Sequence, residues 1–425
     1  MVMMTANRSF SFLGMLLIGS IFYACSSSSE VSSSDAISTY GDAKLKIEPE
    51  IKLFHKSKDS TTVFIKFNTE NLLYVRGEEK YEASLTVKID PISGKETAGK
   101  RPDKKTVAVP AISKDKKGAV ALVKTNIYLP AGNNYNLTVT IRDESNGKLR
   151  EKLIPAYKDG ANNRENFYLR EQGVSTPLFT DRVKPNTTYS LDFEILDAKA
   201  IYVNYYNRSF PLPPPPFAYY EPKPFDYNPD DQFVISSESG KFTFTTGEEG
   251  FYHFRADTTS KKGYTLFVSS DEFPEVTNVQ NMVDPFRYVV SGKEYKKLLE
   301  APALKVEMEK FWVDWSGDRD RARKNIETYY SRVEMANTFF SSHLEGWKSD
   351  RGLIYIIYGA PNKVYKTAQL ETWIYGEERN PLSITFRFIK VDNPFTENDF
   401  RLTREDYYKP SWYRSIEAWR SGRAY

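Results

Sequence analysis

The stretch that most constrains this chain runs Gly346-Trp347-Lys348-Ser349-Asp350-Arg351-Gly352-Leu353-Ile354-Tyr355-Ile356-Ile357-Tyr358-Gly359-Ala360-Pro361. Ahead of it, Ile326, Tyr330, Val333, Asn337 and Phe340 recur at helical spacing, which predicts a long amphipathic helix from about Arg319 to His343. Asp318 and Asp320 suit its positive N-terminal end. Gly346 fits the left-handed position just past a helix, where a side chain would clash. Trp347 is large enough to lock the corner against a core. Asp350 and Arg351 are expected to pair and tie a turn, with Gly352 restoring backbone freedom after them. The apolar run from Leu353 to Tyr358 reads as a buried strand, closed by Gly359 and Pro361. Helix, tight turn, strand, turn is the expectation.

The pattern extends on both sides. Lys310-Phe311-Trp312 and Tyr329-Tyr330-Ser331-Arg332-Val333-Glu334-Met335-Ala336-Asn337 lie upstream, and Glu371-Thr372-Trp373-Ile374-Tyr375 lies downstream, before an aromatic strand around Phe386 and Phe388. Over roughly residues 280 to 400 the chain resembles the GWxTD-domain family of bacterial envelope lipoproteins. Their Gly-Trp-x-Thr-Asp is followed by Arg-Gly-x-Ile-Tyr-x-x-Tyr-Gly-x-Pro. Ser349 stands where the family has Thr and keeps the hydroxyl. The resemblance implies an envelope protein and brings no reaction with it, so chemistry has to be read from this chain.

The first residues look like an export signal. Arg8 supplies a positive start, and Phe10 to Phe22 is apolar over about a dozen residues, too short for a comfortable membrane span. It runs into Phe22-Tyr23-Ala24-Cys25, and Cys25 is the chain's single cysteine. That places it where a bacterial lipoprotein is lipidated, so residues 1–25 read as a lipoprotein signal peptide with its lipobox cysteine. Acyl chains on Cys25 would anchor the protein durably. With that thiol used, no disulfide is possible and stability has to come from packing. The Ser-rich residues 26–41 read as a tether. Ser26 suits transfer to the outer membrane and leaves its periplasmic or cell-surface face undecided.

Two stretches then repeat a period of two. In residues 42–170, Val63, Ile65 and Phe67, then Ala83, Leu85, Val87 and Ile89, then Leu137, Val139 and Ile141 alternate with polar residues between turn clusters. Leu129 to Tyr135 resembles the corner at which an Ig-like fold anchors a tyrosine. In residues 171–278, Tyr189, Leu191, Phe193 and Ile195 alternate, and Gly247 to Arg255 repeats the glycine turn opening an aromatic strand. The fold class expected is mainly β with α+β: two tandem Ig-like β-sandwich domains, then an α+β domain over 279–425 with an aromatic tail. Asp284 to Tyr288 reads as an extended lead into it.

The second sandwich is interrupted by Phe210-Pro211-Leu212-Pro213-Pro214-Pro215-Pro216-Phe217-Ala218-Tyr219-Tyr220-Glu221-Pro222-Lys223-Pro224-Phe225. Proline at this density enforces an extended polyproline rod that loses little entropy on docking. It reads either as a stiff loop over its own domain or as a partner-binding arm that uses Pro213, Pro214, Pro215, Pro216, Phe217, Tyr219 and Tyr220.

Composition narrows the function. The net charge is +3, so no global field draws the chain to nucleic acid. Aromatics at 15% favour β-structure and contact surfaces. His55, His253 and His343 lie far apart, with no metal-ligand spacing, and neither a metal nor a cofactor is expected. Gly94 to Arg101 has phosphate-loop spacing but ends in Arg where a hydroxyl is needed. Glu345, Asp350 and Glu371 are the candidate acids of a glycosidase, if they converge; a turn cap and an ion pair are the competing roles.

The sequence therefore leads to a non-enzymatic outer-membrane lipoprotein. It would serve as scaffold or accessory subunit of an envelope complex that assembles, secretes or displays outer-membrane proteins, with a β-barrel or another envelope protein as partner. Gly346, Trp347, Asp350, Arg351, Gly352, Tyr355, Tyr358, Gly359, Pro361, Glu371 and Trp373 form its structural or docking motif. The alternative is a glycan-binding lipoprotein or weak glycosidase. Buried Trp347 and Trp373, with a flat aromatic patch elsewhere, would favour the scaffold; exposed coplanar Trp and Tyr around a groove would favour glycan binding, and a water-facing cleft holding Asp350 and Glu371 would favour hydrolysis.

Overall fold

The computed structural model describes residues 29–31, 47–93, 101–193, 198–219, 221–237, 241–367 and 369–424. Cys25, Tyr220 and the phosphate-loop-like Gly94 to Lys100 lie outside the described residues.

The first sandwich faces a three-stranded sheet of β2 (Glu50–His55), β3 (Ser60–Asn68) and β7 (Val120–Tyr128) against a larger one. The larger holds β4 (Val75–Arg76), β5 (Tyr81–Ser93), β8 (Asn134–Asp143) and β9 (Leu149–Tyr157), with β6 (Lys105–Ser113) also paired to β5. Ala83, Leu85, Val87 and Ile89 on β5 and Leu137, Val139 and Ile141 on β8 all point into one core, as period two requires. The corner is present too: Tyr135 Oη donates to the Pro130 carbonyl at 2.7 Å, beyond the left-handed Gly132.

The second sandwich pairs β10 (Phe167–Glu171), β12 (Thr188–Phe193) and β15 (Phe242–Thr245) in one sheet. Its other sheet runs β11 (Arg182–Val183), β17 (Tyr264–Val268), β16 (Gly250–Arg255), β13 (Ala200–Tyr206) and β14 (Asp231–Ser236), antiparallel except for β11 with β17. Between the sandwiches, the Asp181 carboxylate accepts from Lys52 Nζ at 2.8 Å, Arg164 Nη2 at 2.5 Å and Tyr264 Oη at 2.8 Å. Burial pushes that carboxyl up, but the two cations more than offset it and hold Asp181 well below the usual range.

The C-terminal region is α+β. Helices α1 (Val279–Phe286), α2 (Gly292–Leu299), α3 (Leu304–Ser316), α4 (Arg319–Phe340), α5 (Asp350–Tyr358) and α6 (Lys409–Arg420) accompany an antiparallel sheet. The sheet is ordered β1 (Ser29–Val31), β18 (Lys363–Lys366), β19 (Leu370–Tyr375), β20 (Ile384–Lys390), β21 (Phe400–Leu402). Ser29–Val31, inside the Ser-rich tract, thus pairs with the edge of this sheet. The aromatic tail covers its own region: Tyr408, Trp412 and Trp419 are buried, and Tyr407 and Tyr413 stay exposed.

Three local expectations are corrected. Leu353 to Tyr358 is helix, the body of α5, because this run is buried on every side and shows no period that would separate helix from strand. Gly346 lies in a 3₁₀ turn, Gly346–Lys348, and not in a left-handed cap. Asp284 to Tyr288 is no extended lead: α1 runs through Phe286, with Asn278 accepting the Asn281 N–H as its N-cap.

Candidate functional site

The motif is a corner in which α5 is folded back onto α4. A Cβ on Gly346 would stand 1.8 Å from the Ala336 carbonyl oxygen, and one on Gly352 would stand 2.0 Å from that of Gly346. Both glycines are therefore set by backbone touching backbone. Ser341 Oγ accepts the Gly346 N–H at 2.8 Å, and Asn337 Oδ1 accepts that of Trp347 at 3.2 Å. Ser349 is the N-cap of α5: its Oγ accepts from Gly352 N at 3.0 Å and donates to the Gly346 carbonyl at 2.7 Å.

Asp350 and Arg351 do not pair with each other. Adjacent residues on a helix point about 100° apart, so each finds its own partner. The Asp350 carboxylate receives Arg404 Nη2 at 2.5 Å and the Leu402 N–H at 2.8 Å. Arg351 reaches Glu371 at 3.1 Å and the Asn398 side chain at 2.5 Å, with its guanidinium over the Phe400 ring at 4.3 Å. Asn398 in turn donates to the Phe339 and Ser341 carbonyls at the end of α4. Glu371 also accepts the Trp373 indole N–H at 2.8 Å and faces Lys366 at 3.4 Å. Burial lowers the Lys366 ammonium despite that carboxylate.

The other motif residues close the corner. Trp347 is 6% exposed and Trp373 0%. Trp347 Nε1 donates to Glu345, whose carboxylate also meets Lys348, and the Trp347 carbonyl accepts from Tyr288 Oη. Tyr355 Oη contacts Met335 Sδ, and burial pushes its phenol up to about 12. Tyr358 Oη bonds Ser411 at 3.3 Å. Gly359 has a left-handed φ of 79°, and its carbonyl accepts from Tyr375 Oη at 2.8 Å; Pro361 follows, buried.

Glu345, Asp350 and Glu371 thus do not converge. Each is bound to a different cation, and the last two are buried with theirs. No group of three or more His, Cys, Asp or Glu that could hold a metal occurs among the described residues. His55 and His253 are buried and His343 is half-buried against Phe210 and Phe225; His253 and His343 both meet the Phe395 ring, at 5.2 Å and 6.3 Å between centroids, while His55 lies in the first sandwich.

The proline-rich arm spans two regions: Phe210 and Phe225 at its ends pack on a cluster of Tyr206, Phe251 and Phe267 from its own sandwich with Phe395 from the C-terminal region, while the stretch between them lies on the C-terminal region. The Pro214 carbonyl accepts from Arg404 Nη2 at 3.3 Å, the same guanidinium that holds Asp350, and the Pro216 carbonyl accepts from Glu405 N at 3.2 Å. Phe217 meets Tyr413 at 5.5 Å between ring centroids. Pro213, Pro214 and Pro215 are half-buried along this track, and Tyr219 is 88% exposed beyond it.

Residues 250–421 match the family model of the GWxTD domain. The chain carries a GWxTD domain there. The match begins at Gly250, in β16, so it takes in the last two strands of the second sandwich as well as the region from residue 280 that carries the motif. No curated protein matches the chain. Among solved structures, red sea bream transglutaminase is 10% identical at a TM-score of 0.19, over 55% of this chain and 33% of that one. The C-terminal 282-residue fragment of intimin, solved with the intimin-binding domain of its translocated receptor, is 12% identical at 0.16, over 84% and 99%. The match therefore spans a third of the transglutaminase. At such TM-scores neither likeness carries an argument.

Sequence reading missed Arg404, Asn398 and Asn337, which complete the GWxTD corner. One signal was present: Ser349 followed by Asp350 is a helix start, and a helix start forbids the Asp350–Arg351 pair.

Proposed function

We propose that this GWxTD-domain protein is a non-catalytic lipoprotein, anchored through Cys25 to the outer membrane, that serves as scaffold or accessory subunit of an envelope complex. The observation that carries the reading is how the motif spends its charges. Asp350 and Glu371 are each closed off in a buried pair with an arginine. Such pairs hold elements in register and leave no carboxylate facing substrate. Trp347 and Trp373 are core residues, and none of the six tryptophans is exposed to stack on a sugar. What remains for function is surface: the sandwich edges, exposed Tyr219, Tyr407 and Tyr413, and the faces around them.

Two measurements test this. Cells fed an alkyne-bearing palmitate should label the wild type and not Cys25→Ser; equal labelling would remove the anchor. Gentle-detergent purification of the natively expressed, tagged protein should then recover an outer-membrane β-barrel or another envelope protein in fixed ratio. Recovery alone, with specific binding on a glycan array, would replace the scaffold with the carbohydrate reading.

A further inference from the structure

We propose that the open flank of the second sandwich, between the edges of β14 and β15, is a docking groove for an extended polypeptide strand bearing alternating apolar side chains and at least one Lys or Arg. This deepens the docking reading above and rests on it in one respect, that the occupant is a protein; it does not require the Cys25 anchor.

Among the described residues β14 pairs only with β13, and β15 only with β12, so both sheets end on the same side of the sandwich. Each edge offers backbone N–H and C=O groups to an added strand. Between them is an open groove of 780 Å³. Phe233, Phe244 and Tyr252 floor it, with the Phe233 and Phe244 rings stacked at 5.9 Å and those of Phe244 and Tyr252 at 5.1 Å. Val234, on the edge itself, is 53% exposed. An apolar floor beside an unpaired edge suits a strand, which buries every second side chain while its backbone pairs.

Charge selects the occupant further. The charged side chains lining the groove are Asp230, Asp231 and Glu248, with no Lys or Arg among the lining residues. Asp230 is held by Arg208, whereas Asp231 and Glu248 form no ion pair with a described residue. Asp231 lies opposite Tyr205, itself opposite Tyr252, and Tyr252 Oη donates to the Glu248 carbonyl at 3.3 Å, so Asp231 and Glu248 stand at the same end of the groove. A cationic side chain on the incoming strand answers them. A sugar would gain little from rings laid as a floor beneath backbone edges, and a second copy of β14 would bring Asp231 against a like-charged groove.

The test is to pan a displayed library of random seven-residue peptides against the full-length protein in detergent, then measure affinities by fluorescence anisotropy. Enriched peptides should alternate apolar residues and carry Lys or Arg. Their affinity should fall at least tenfold on the double variant Asp231→Lys, Glu248→Lys, whose exposed positions keep the fold. It should fall as far on Val234→Pro, which removes an edge N–H, and when alternate peptide nitrogens are methylated. No enrichment, or peptides that bind both variants equally, would overturn the groove. So would a dimer in sedimentation that Val234→Pro dissolves, since a second copy then holds the edge. If an envelope partner co-purifies equally with wild type and both variants, the groove fails while the scaffold reading stands. Peptide binding with no co-purified partner fails the scaffold reading alone.

Discussion

At Gly346 a single methyl group is decisive. Its Cβ would meet the Ala336 carbonyl at 1.8 Å, and that of Gly352 would meet the Gly346 carbonyl at 2.0 Å. In each case the obstacle is backbone, which cannot rotate away as a side chain can. Gly346→Ala and Gly352→Ala are each expected to cost about 3 kcal/mol or more. Ser349→Ala, which removes the cap and the hydroxyl's bond to the Gly346 carbonyl, should cost about 1–2 kcal/mol. Urea midpoints followed by tryptophan fluorescence check the ranking; equal losses for all three would make hydrogen bonding, not close approach, the corner's constraint. Glu165 gives a prediction of opposite sign. It is buried, its Oε2 has no hydrogen-bond partner, and burial pushes the carboxyl up to about 7. Near pH 4 folded and unfolded chains are both protonated there and Glu165 costs nothing. As pH rises toward 7 the unfolded chain ionises first, so stability falls until the folded group ionises too. Glu165→Gln should therefore match wild type near pH 4 and exceed it by up to about 3 kcal/mol above pH 7. The buried His253, lowered to about 4, destabilises both proteins alike as pH falls below 6.5, and so cancels in the difference. A difference that stays flat with pH would remove the buried-charge account.

At the scale of elements, the strands were legible and α5 was not, for one physical reason. Half-buried strands write their period into the sequence, as Ala83, Leu85, Val87 and Ile89 do, because every second side chain meets water or a polar neighbour. A run buried all round, such as Leu353 to Tyr358, has no polar face to betray its period. The cap residues held the answer, since Ser349 and Asp350 start a helix as clearly as Gly359 and Pro361 stop one. The partners of Asp350 and Arg351 were out of reach, because Arg404 and Asn398 are brought to the corner by tertiary packing without any periodic signal. The arm shows the same limit: its polyproline character is written in Pro213 to Pro216, but its seat on the C-terminal region is not. Besides a turn bond from the Ala218 N–H to the Pro215 carbonyl, the middle of the arm is held by Leu212, Phe217 and two carbonyls, between ends pinned by Phe210 and Phe225. Phe217→Ala removes roughly 1.5–3 kcal/mol of apolar burial. Chymotryptic cleavage between residues 217 and 225, read by mass spectrometry of the fragments, should quicken about tenfold or more. An unchanged rate would mean that the Arg404 and Glu405 bonds and the packed rings of Phe210 and Phe225 hold the arm without Phe217.

Over the whole molecule, the regions are joined by part-buried polar contacts and by one aromatic cluster, in which Phe395 of the C-terminal region packs against Tyr206 and Phe251 of the second sandwich. Tyr157 of the first sandwich bonds Glu397, and Arg182 of the second enters the corner of the C-terminal region. Arg182 Nη2 donates to the Ser342 and Leu344 carbonyls at 2.8 Å each, Nη1 to Ser269 Oγ at 2.8 Å, and the guanidinium lies over the Phe267 and Phe273 rings. Burial lowers this guanidinium to about 10, which still leaves it charged at neutral pH. The two carbonyls it serves lie within four residues before Gly346, so the sandwich and the GWxTD motif stabilise each other through one side chain. Arg182→Met keeps much of the packing and removes both bonds; the Leu344 carbonyl keeps the Ser342 N–H at 2.9 Å, so the loss falls chiefly on the Ser342 carbonyl, at about 1–3 kcal/mol. The chain offers two independent readouts of the consequence. Its six tryptophans all lie between Trp312 and Trp419, so their fluorescence follows the C-terminal region alone. The far-UV β signal comes largely from the two sandwiches. In the wild type both signals are expected to melt together, because each region braces the other. In Arg182→Met the fluorescence transition should move to lower temperature and separate from the β transition. If the two move down together by the same amount, Arg182 is a source of stability but not the coupling, and the link between the regions is carried by the Phe395 cluster with Tyr206 and Phe251, the Pro213–Phe217 arm and the Tyr157–Glu397 contact.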